Sequence, residues 1–240
     1  MTEIRHGSAT HVGRVRKVNE DALLAEPPVF AVADGMGGHA AGDVASAVVV
    51  EELRSLVHRD RVPPKEVLEA LESADERVRA LTDDDGIPLG AGSTVAGAVL
   101  VDAGDRDGPA WLVVNCGDSR VYRFADGALE QVSVDHSVVQ ELVDEGLLTP
   151  AQARLHPARN VITRAVGAAA RLEPDTWLLP VTPGERLVVC TDGLTNEVDD
   201  DQLAALMDGG PQEVADALVD AAVSAGGHDN VTVVVVDVVG

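Results

Sequence analysis

The chain has 240 residues, 45% hydrophobic but only 2% aromatic. That composition is that of a globular chain and not a disordered one, and calls for a sizeable core built from Val, Leu and Ala. A formal net charge of −23 repels phosphate backbones and argues against nucleic acid as a partner.

In chain order, valine-rich strands are expected at Val29 to Ala33, Thr94 to Val101, Trp111 to Cys116, Val121 to Phe124, Arg186 to Cys190 and Val231 to Val239. Helices are expected between them. From Gly42 to Val57, apolar residues at Ala45, Val48, Val49, Leu53 and Leu56 follow the 3.6-residue period. Val67, Leu71, Ala74, Val78 and Leu81 do the same, and a late helix opens at Pro211 and closes near Gly226. The tight link Cys116-Gly117-Asp118-Ser119-Arg120 suggests antiparallel pairing of the strands on either side. The acidic loops at Asp83 to Gly86 and Asp102 to Gly108 do not have EF-hand spacing and read as solvated turns. The polar segment from about 144 to 165 carries Pro150 and Pro157 and reads as a helix-containing flap. With no internal repeat and no linker long enough to divide it, residues 1–240 read as one domain of α+β class, a layered sheet-and-helix sandwich.

Cys116 and Cys190 each end an apolar run and read as buried thiols in a reducing compartment. Met1-Thr2-Glu3 opens no signal peptide and no apolar run approaches membrane length. The expected setting is therefore cytoplasmic.

The chemistry shows where strands end. Val29 to Ala33 runs into Asp34-Gly35, Leu187 to Thr191 into Asp192-Gly193, and Val113 to Cys116 into Gly117-Asp118; Asp229-Asn230 precedes the last strand. A carboxylate at a strand end sits at the rim of the core, because the interior does not tolerate it unpaired. Four of them in one cleft would repel unless cations joined them, and hard oxygen ligands select magnesium or manganese. Glycine after the aspartate lets a backbone carbonyl approach an ion. Arg16 offers a planar fork for phosphate oxygens, and Glu20 and Asp21 point to opposite sides of an extended chain.

These pieces occur in a recognisable order: Gly13-Arg14-Val15-Arg16, Asn19-Glu20-Asp21, Ala33-Asp34-Gly35-Met36-Gly37-Gly38-His39, Gly92-Ser93-Thr94 and Gly117-Asp118-Ser119-Arg120. Asp135-His136-Ser137, Asn160-Val161-Ile162-Thr163-Arg164, Thr191-Asp192-Gly193-Leu194 and Asp229-Asn230-Val231-Thr232 follow. The series resembles the metal-dependent protein phosphatases (PPM, the type-2C serine/threonine phosphatases), and most closely the bacterial members.

The resemblance implies a four-layer α-β-β-α sandwich, two antiparallel sheets flanked by helices, with the cleft at one edge and the flap beside it. It implies a phosphoprotein phosphatase in bacterial signalling that cleaves phosphoserine and phosphothreonine with a metal-activated water. The cofactors would be two core manganese or magnesium ions plus a third. By matching positions, Asp34 bridges two ions and Gly35 offers its carbonyl; Asp192 and Asp229 complete the second site. Asp118 with Asp192 holds the third ion, Glu20 and Asp21 bond the metal-bound waters, and Arg16 grips the phosphate. Partners would be phosphorylated proteins, including a serine/threonine kinase or its substrates, met by a monomer.

Two departures matter. Met36 stands where many eukaryotic members have a histidine proposed as general acid, so a metal-bound water is the expected donor ahead of His39 or His136. Thr10-His11 replaces the usual acid before the Gly-x-Val-Arg stretch, with a local effect expected. Two rival readings are a non-catalytic phosphoprotein scaffold, which should have lost one of these acids, and a hydrolase of small phosphoesters.

Overall fold

The computed structural model describes residues 3–37, 41–59, 62–102, 108–168 and 171–240. Gly38, His39 and residues 103–107, the interior of the loop from Asp102 to Gly108, lie outside the described residues. The chain runs β1 (Glu3–His11), β2 (Asp21–Glu26), β3 (Val29–Met36), α1 (Ala41–Arg54), α2 (Pro64–Arg79), β4 (Gly92–Ser93), β5 (Val95–Asp102) and β6 (Pro109–Cys116). It continues with β7 (Arg120–Ala125), β8 (Ala128–Gln131), α3 (Val138–Asp144), α4 (Pro150–Arg154), β9 (Asp175–Pro180) and β10 (Arg186–Cys190). The last elements are α5 (Asp192–Thr195), α6 (Asp200–Ala205), α7 (Pro211–Ala225) and β11 (Val231–Val239).

The strands form two antiparallel sheets. One has the order β1-β11-β10-β7-β8, and the other β2-β3-β5-β6-β9 with β4 paired to β3. Strand alternation explains why there are four layers. On β3, Val29, Ala31 and Ala33 pack under α1 and α2, whereas Phe30 and Val32 face the opposite sheet. On β11, Val231, Val233 and Val235 pack against α7, whereas Val234, Val236 and Val238 face inward. Three apolar layers result, one between the sheets and one under each set of helices. At one end of the middle layer the same alternation runs into Asp34, Thr191 and Thr232, and there the cleft begins.

The loop Cys116–Arg120 does not join a hairpin, contrary to expectation. β6 and β7 belong to different sheets, and the link carries the chain across the sandwich. Gly117 makes that turn possible: its φ is +115°, and a Cβ there would lie 2.6 Å from Thr94 Cγ2. Asp34 and Gly35 lie within β3, which runs on to Met36, and Asp192 opens the short helix α5 instead of ending a strand.

The excursion beside the cleft starts earlier than the expected 144, because α3 begins at Val138. Ser137 caps α3 by accepting from Gln140 N at 3.2 Å. Thr149 and Gln152 form a capping box at the head of α4, with Pro150 in the first turn. Bridges Ser137–Ile162 and Ser93–Val166 close the excursion back on to the body. The loop at Asp83 is a turn, in which Asp83 Oδ1 accepts from Asp85 N and Ile87 N at 3.0 and 2.8 Å. Cys116 and Cys190 are buried free thiols, and burial pushes both up to about 12. Among the described residues, no helix is long and apolar enough to cross a membrane.

Candidate active site

One cavity at the end of the middle layer is lined by Arg16, Glu20, Asp34, Gly35, Asp118, Asp192 and Asp229. The structure therefore brings seven of the eight sequence-predicted residues to one place. Asp21, the eighth, does not line the cavity. It is the register partner of Asp34 across β2 and β3, and it stands just behind. Asp21 Oδ2 accepts from Thr232 Oγ1 at 2.7 Å and Thr191 Oγ1 at 2.9 Å, both from the opposite sheet.

Backbone contacts hold Asp34. Its N–H donates to Thr94 Oγ1 at 3.0 Å, and its carbonyl accepts from Thr94 N at 2.9 Å and Ser93 Oγ at 3.1 Å. Thr94 Oγ1 in turn meets Ser119 Oγ at 2.7 Å, which ties the Asp118 turn to β3. Gly35 and Gly193 have a further role beyond baring a carbonyl. A Cβ on Gly35 would lie 1.9 Å from the Gly42 carbonyl oxygen, and one on Gly193 would lie 1.9 Å from that of Asn230. Each Asp-Gly pair thus presents its aspartate from backbones packed as closely as they can be.

Asn230 secures the Arg16 loop. Its Nδ2 donates to the carbonyls of Val12 and Val18 at 3.0 Å, and its Oδ1 accepts from Glu20 N at 2.8 Å. Arg16 Nη2 then reaches Asp229 Oδ2 at 2.8 Å. At the departure position Thr10, the hydroxyl meets Thr232 Oγ1 at 2.7 Å, the same hydroxyl that donates to Asp21, and accepts from Asn19 Nδ2 at 2.8 Å. Met36 lines the cavity and His228 is engaged by Glu197 at 2.6 Å. His136 stands behind the Asp118 turn, with Nδ1 accepting from Gly117 N at 3.1 Å.

Sequence reasoning missed Asn196. It donates to Asp192 Oδ2 at 2.9 Å from four positions on, and that spacing at the start of a helix was the available signal.

Burial raises Asp21, Asp34, Asp118 and Asp192 first, and neighbouring acids raise them further. Desolvation followed by Asp192 and Asp21 holds Asp34 well above the usual range, and desolvation followed by Asp192 and Asp135 does so for Asp118. Burial, with Asp229 adding, pushes Asp192 up to about 6; burial of Asp21, partly offset by its two threonines, leaves it at about 7.

This donor set fits divalent cations. Asp192 Oδ1 and Asp21 Oδ1 are buried without a hydrogen-bond partner, and mutual repulsion of this kind is relieved by a shared positive charge. Among the described residues, no three acidic, histidine or cysteine side chains are already closed around a single point. The acids are instead spread around the cavity lining, and Asp229 leans on Arg16.

The Protein phosphatase 2C family pattern matches residues 10–218. This chain belongs to the protein phosphatase 2C family. It is 40% identical to the serine/threonine protein phosphatase PstP of Mycobacterium tuberculosis over 98% of the chain, and spans 45% of that relative's length. It is 31% identical to a serine/threonine phosphatase (stp) of Listeria monocytogenes, with 95% of the chain and 93% of the relative covered. In three dimensions it matches the catalytic domain of PstP in complex with two manganese ions, at a TM-score of 0.89, 34% identity and full coverage of both chains. The fold, four layers with a flap, is that of the bacterial metal-dependent serine/threonine phosphatases.

Proposed function

We propose that this phosphatase domain removes phosphate from phosphoserine and phosphothreonine in other proteins at the cavity bounded by Asp34, Asp118, Asp192 and Asp229. The observation carrying the reading is five carboxylates and one arginine on the wall of a single cavity.

Asp34, the Gly35 carbonyl, Asp192 and Asp229 would hold two manganese or magnesium ions, and Asp118 with Asp192 a third. When bound, such ions supply a nucleophilic water near neutral pH and offset charge on the phosphoryl oxygens. The clamps from Thr94 and Ser93 keep Asp34 in place during turnover. Arg16 would exchange Asp229 for the substrate phosphate and orient it for in-line attack. Glu20 would accept hydrogen bonds from water in the cavity. Asp21 would act from behind, held by Thr191 and Thr232, with Oδ1 as its remaining acceptor. Met36 has no proton to give, so the leaving hydroxyl takes its proton from water.

The setting we propose is cytoplasmic bacterial signalling by a monomer opposing a serine/threonine kinase. Assaying phosphothreonine peptide, p-nitrophenyl phosphate and nucleotides with manganese and with EDTA tests the reading. Peptide turnover that vanishes with EDTA is expected. Turnover confined to nucleotides or p-nitrophenyl phosphate, or insensitive to EDTA, would refute it.

A further inference from the structure

The chain is strongly acidic, yet no Asp or Glu occurs between Glu145 and Glu173, a run that carries Arg154, Arg159, Arg164 and Arg171. Arginines elsewhere are mostly neutralised: Arg77 by Glu51 and Glu52, Arg123 by Glu185, Arg186 by Asp237. Arg154 and Arg159 are not. Among the described residues neither has a carboxylate partner; Arg154 donates only to the Thr195 carbonyl at 3.3 Å, and the Arg159 side chain has no hydrogen-bond partner.

Both line a cavity of about 300 Å³ between the flap and the body. Asp118 and Asp192 form its inner wall and also face the phosphate cleft, so the two spaces are contiguous. The other acids in it are engaged: Asp135 takes a bidentate pair from Arg120 at 2.8 and 2.7 Å, and Asp200 accepts from Tyr122 Oη at 3.1 Å. Once Asp118 and Asp192 are satisfied by cations, two free guanidinium groups dominate the space. Two exposed arginines without a carboxylate partner, lining a half-open pocket on a surface crowded with acids, are a site for an anion.

We propose that this cavity is a second anion subsite, which takes an acidic or phosphorylated side chain lying a few residues from the phosphoserine or phosphothreonine of the substrate protein. The inference rests on the phosphatase reading above. An extended peptide advances roughly 3.3 Å per residue, so a neighbour one to three positions away reaches from one space to the other. The subsite makes the domain selective for phosphosites in acidic or multiply phosphorylated segments.

The test uses three phosphothreonine peptides with neutral flanks, with aspartate flanks, and with a second phosphothreonine, assayed with manganese. A kcat/KM advantage of about three- to thirtyfold for the charged peptides is expected, shrinking as salt is added. The relative rates of the two charged peptides show whether carboxylate or phosphate is preferred. In Arg154→Ala/Arg159→Ala the advantage should collapse towards one, and in Arg159→Glu the order should reverse. A wild-type ratio near one, or a ratio unchanged in both variants, overturns the subsite. The neutral peptide offers it no charge, so failure to cleave that peptide as well would overturn the phosphatase reading, and the subsite with it.

Discussion

Arg16 and Asp229, 213 positions apart, form an ion pair at 2.8 Å on the cavity wall. The guanidinium thus occupies a carboxylate that a cation would also use. Replacing Arg16 with Ala should lower kcat/KM for phosphopeptides by roughly 10- to 100-fold, the worth of a charge-assisted hydrogen bond, mainly through KM. It should also tighten manganese binding, since a competitor is gone. Kinetics alongside calorimetric titration would check both; weaker manganese affinity in the variant would contradict the competition.

At pH 8, where ionisation of these buried acids opposes folding, Asp34→Asn and Asp192→Asn each remove one member of a repelling set. Activity should fall by about 10³-fold or more, while the chelated protein becomes more heat-stable because repulsion is relieved. Calorimetry in EDTA reads the second effect. A lower Tm in both variants would show that the acids are not in conflict.

The direction of pH dependence follows from the same groups. Asp192 is pushed up to about 6 and Asp21 to about 7, above the ordinary carboxylate value of about 3.9. A folded-state value raised in this way gives stability that is full below the unfolded value and is lost as pH rises through the folded one. The chelated protein should therefore lose Tm, by on the order of 5 °C, between pH 5 and pH 8, and manganese should flatten the slope. A flat profile in EDTA would speak against it.

Gly35→Ala tests the packing of the site independently of its charge. Its methyl group would meet the Gly42 carbonyl at 1.9 Å. A cost of about 1–3 kcal/mol or more is expected, read as a midpoint shift in urea. An unchanged midpoint would mean that β3 and the start of α1 separate easily there.

The middle of the sandwich was legible because β3, β10 and β11 are uninterrupted valine-rich runs bounded by glycine and aspartate. β1 was not legible: Glu3 and Arg5 fall on one face and His6, Ser8 and Thr10 on the other, so neither face shows an apolar alternation, and it is an edge strand held through β11. The carboxylates could be found because buried strands rarely end in acids without reason. The sequence did not reveal that Gly117-Asp118 crosses between sheets. A four-residue hairpin and a crossover use the same glycine-rich local code, and only the rest of the fold decides between them. Asn196 was hidden because Asp192 was expected to end a strand, where a residue four positions on is not a neighbour.

Asp34 comes from one sheet, Asp192 and Asp229 from the strand ends and loops of the other. An ion shared among them would rivet the two layers at one end, leaving the apolar contacts to hinge them at the other. Loading with manganese should accordingly slow amide exchange first in the last residues of β3 and the first of β11, with little change at the far ends of the same strands.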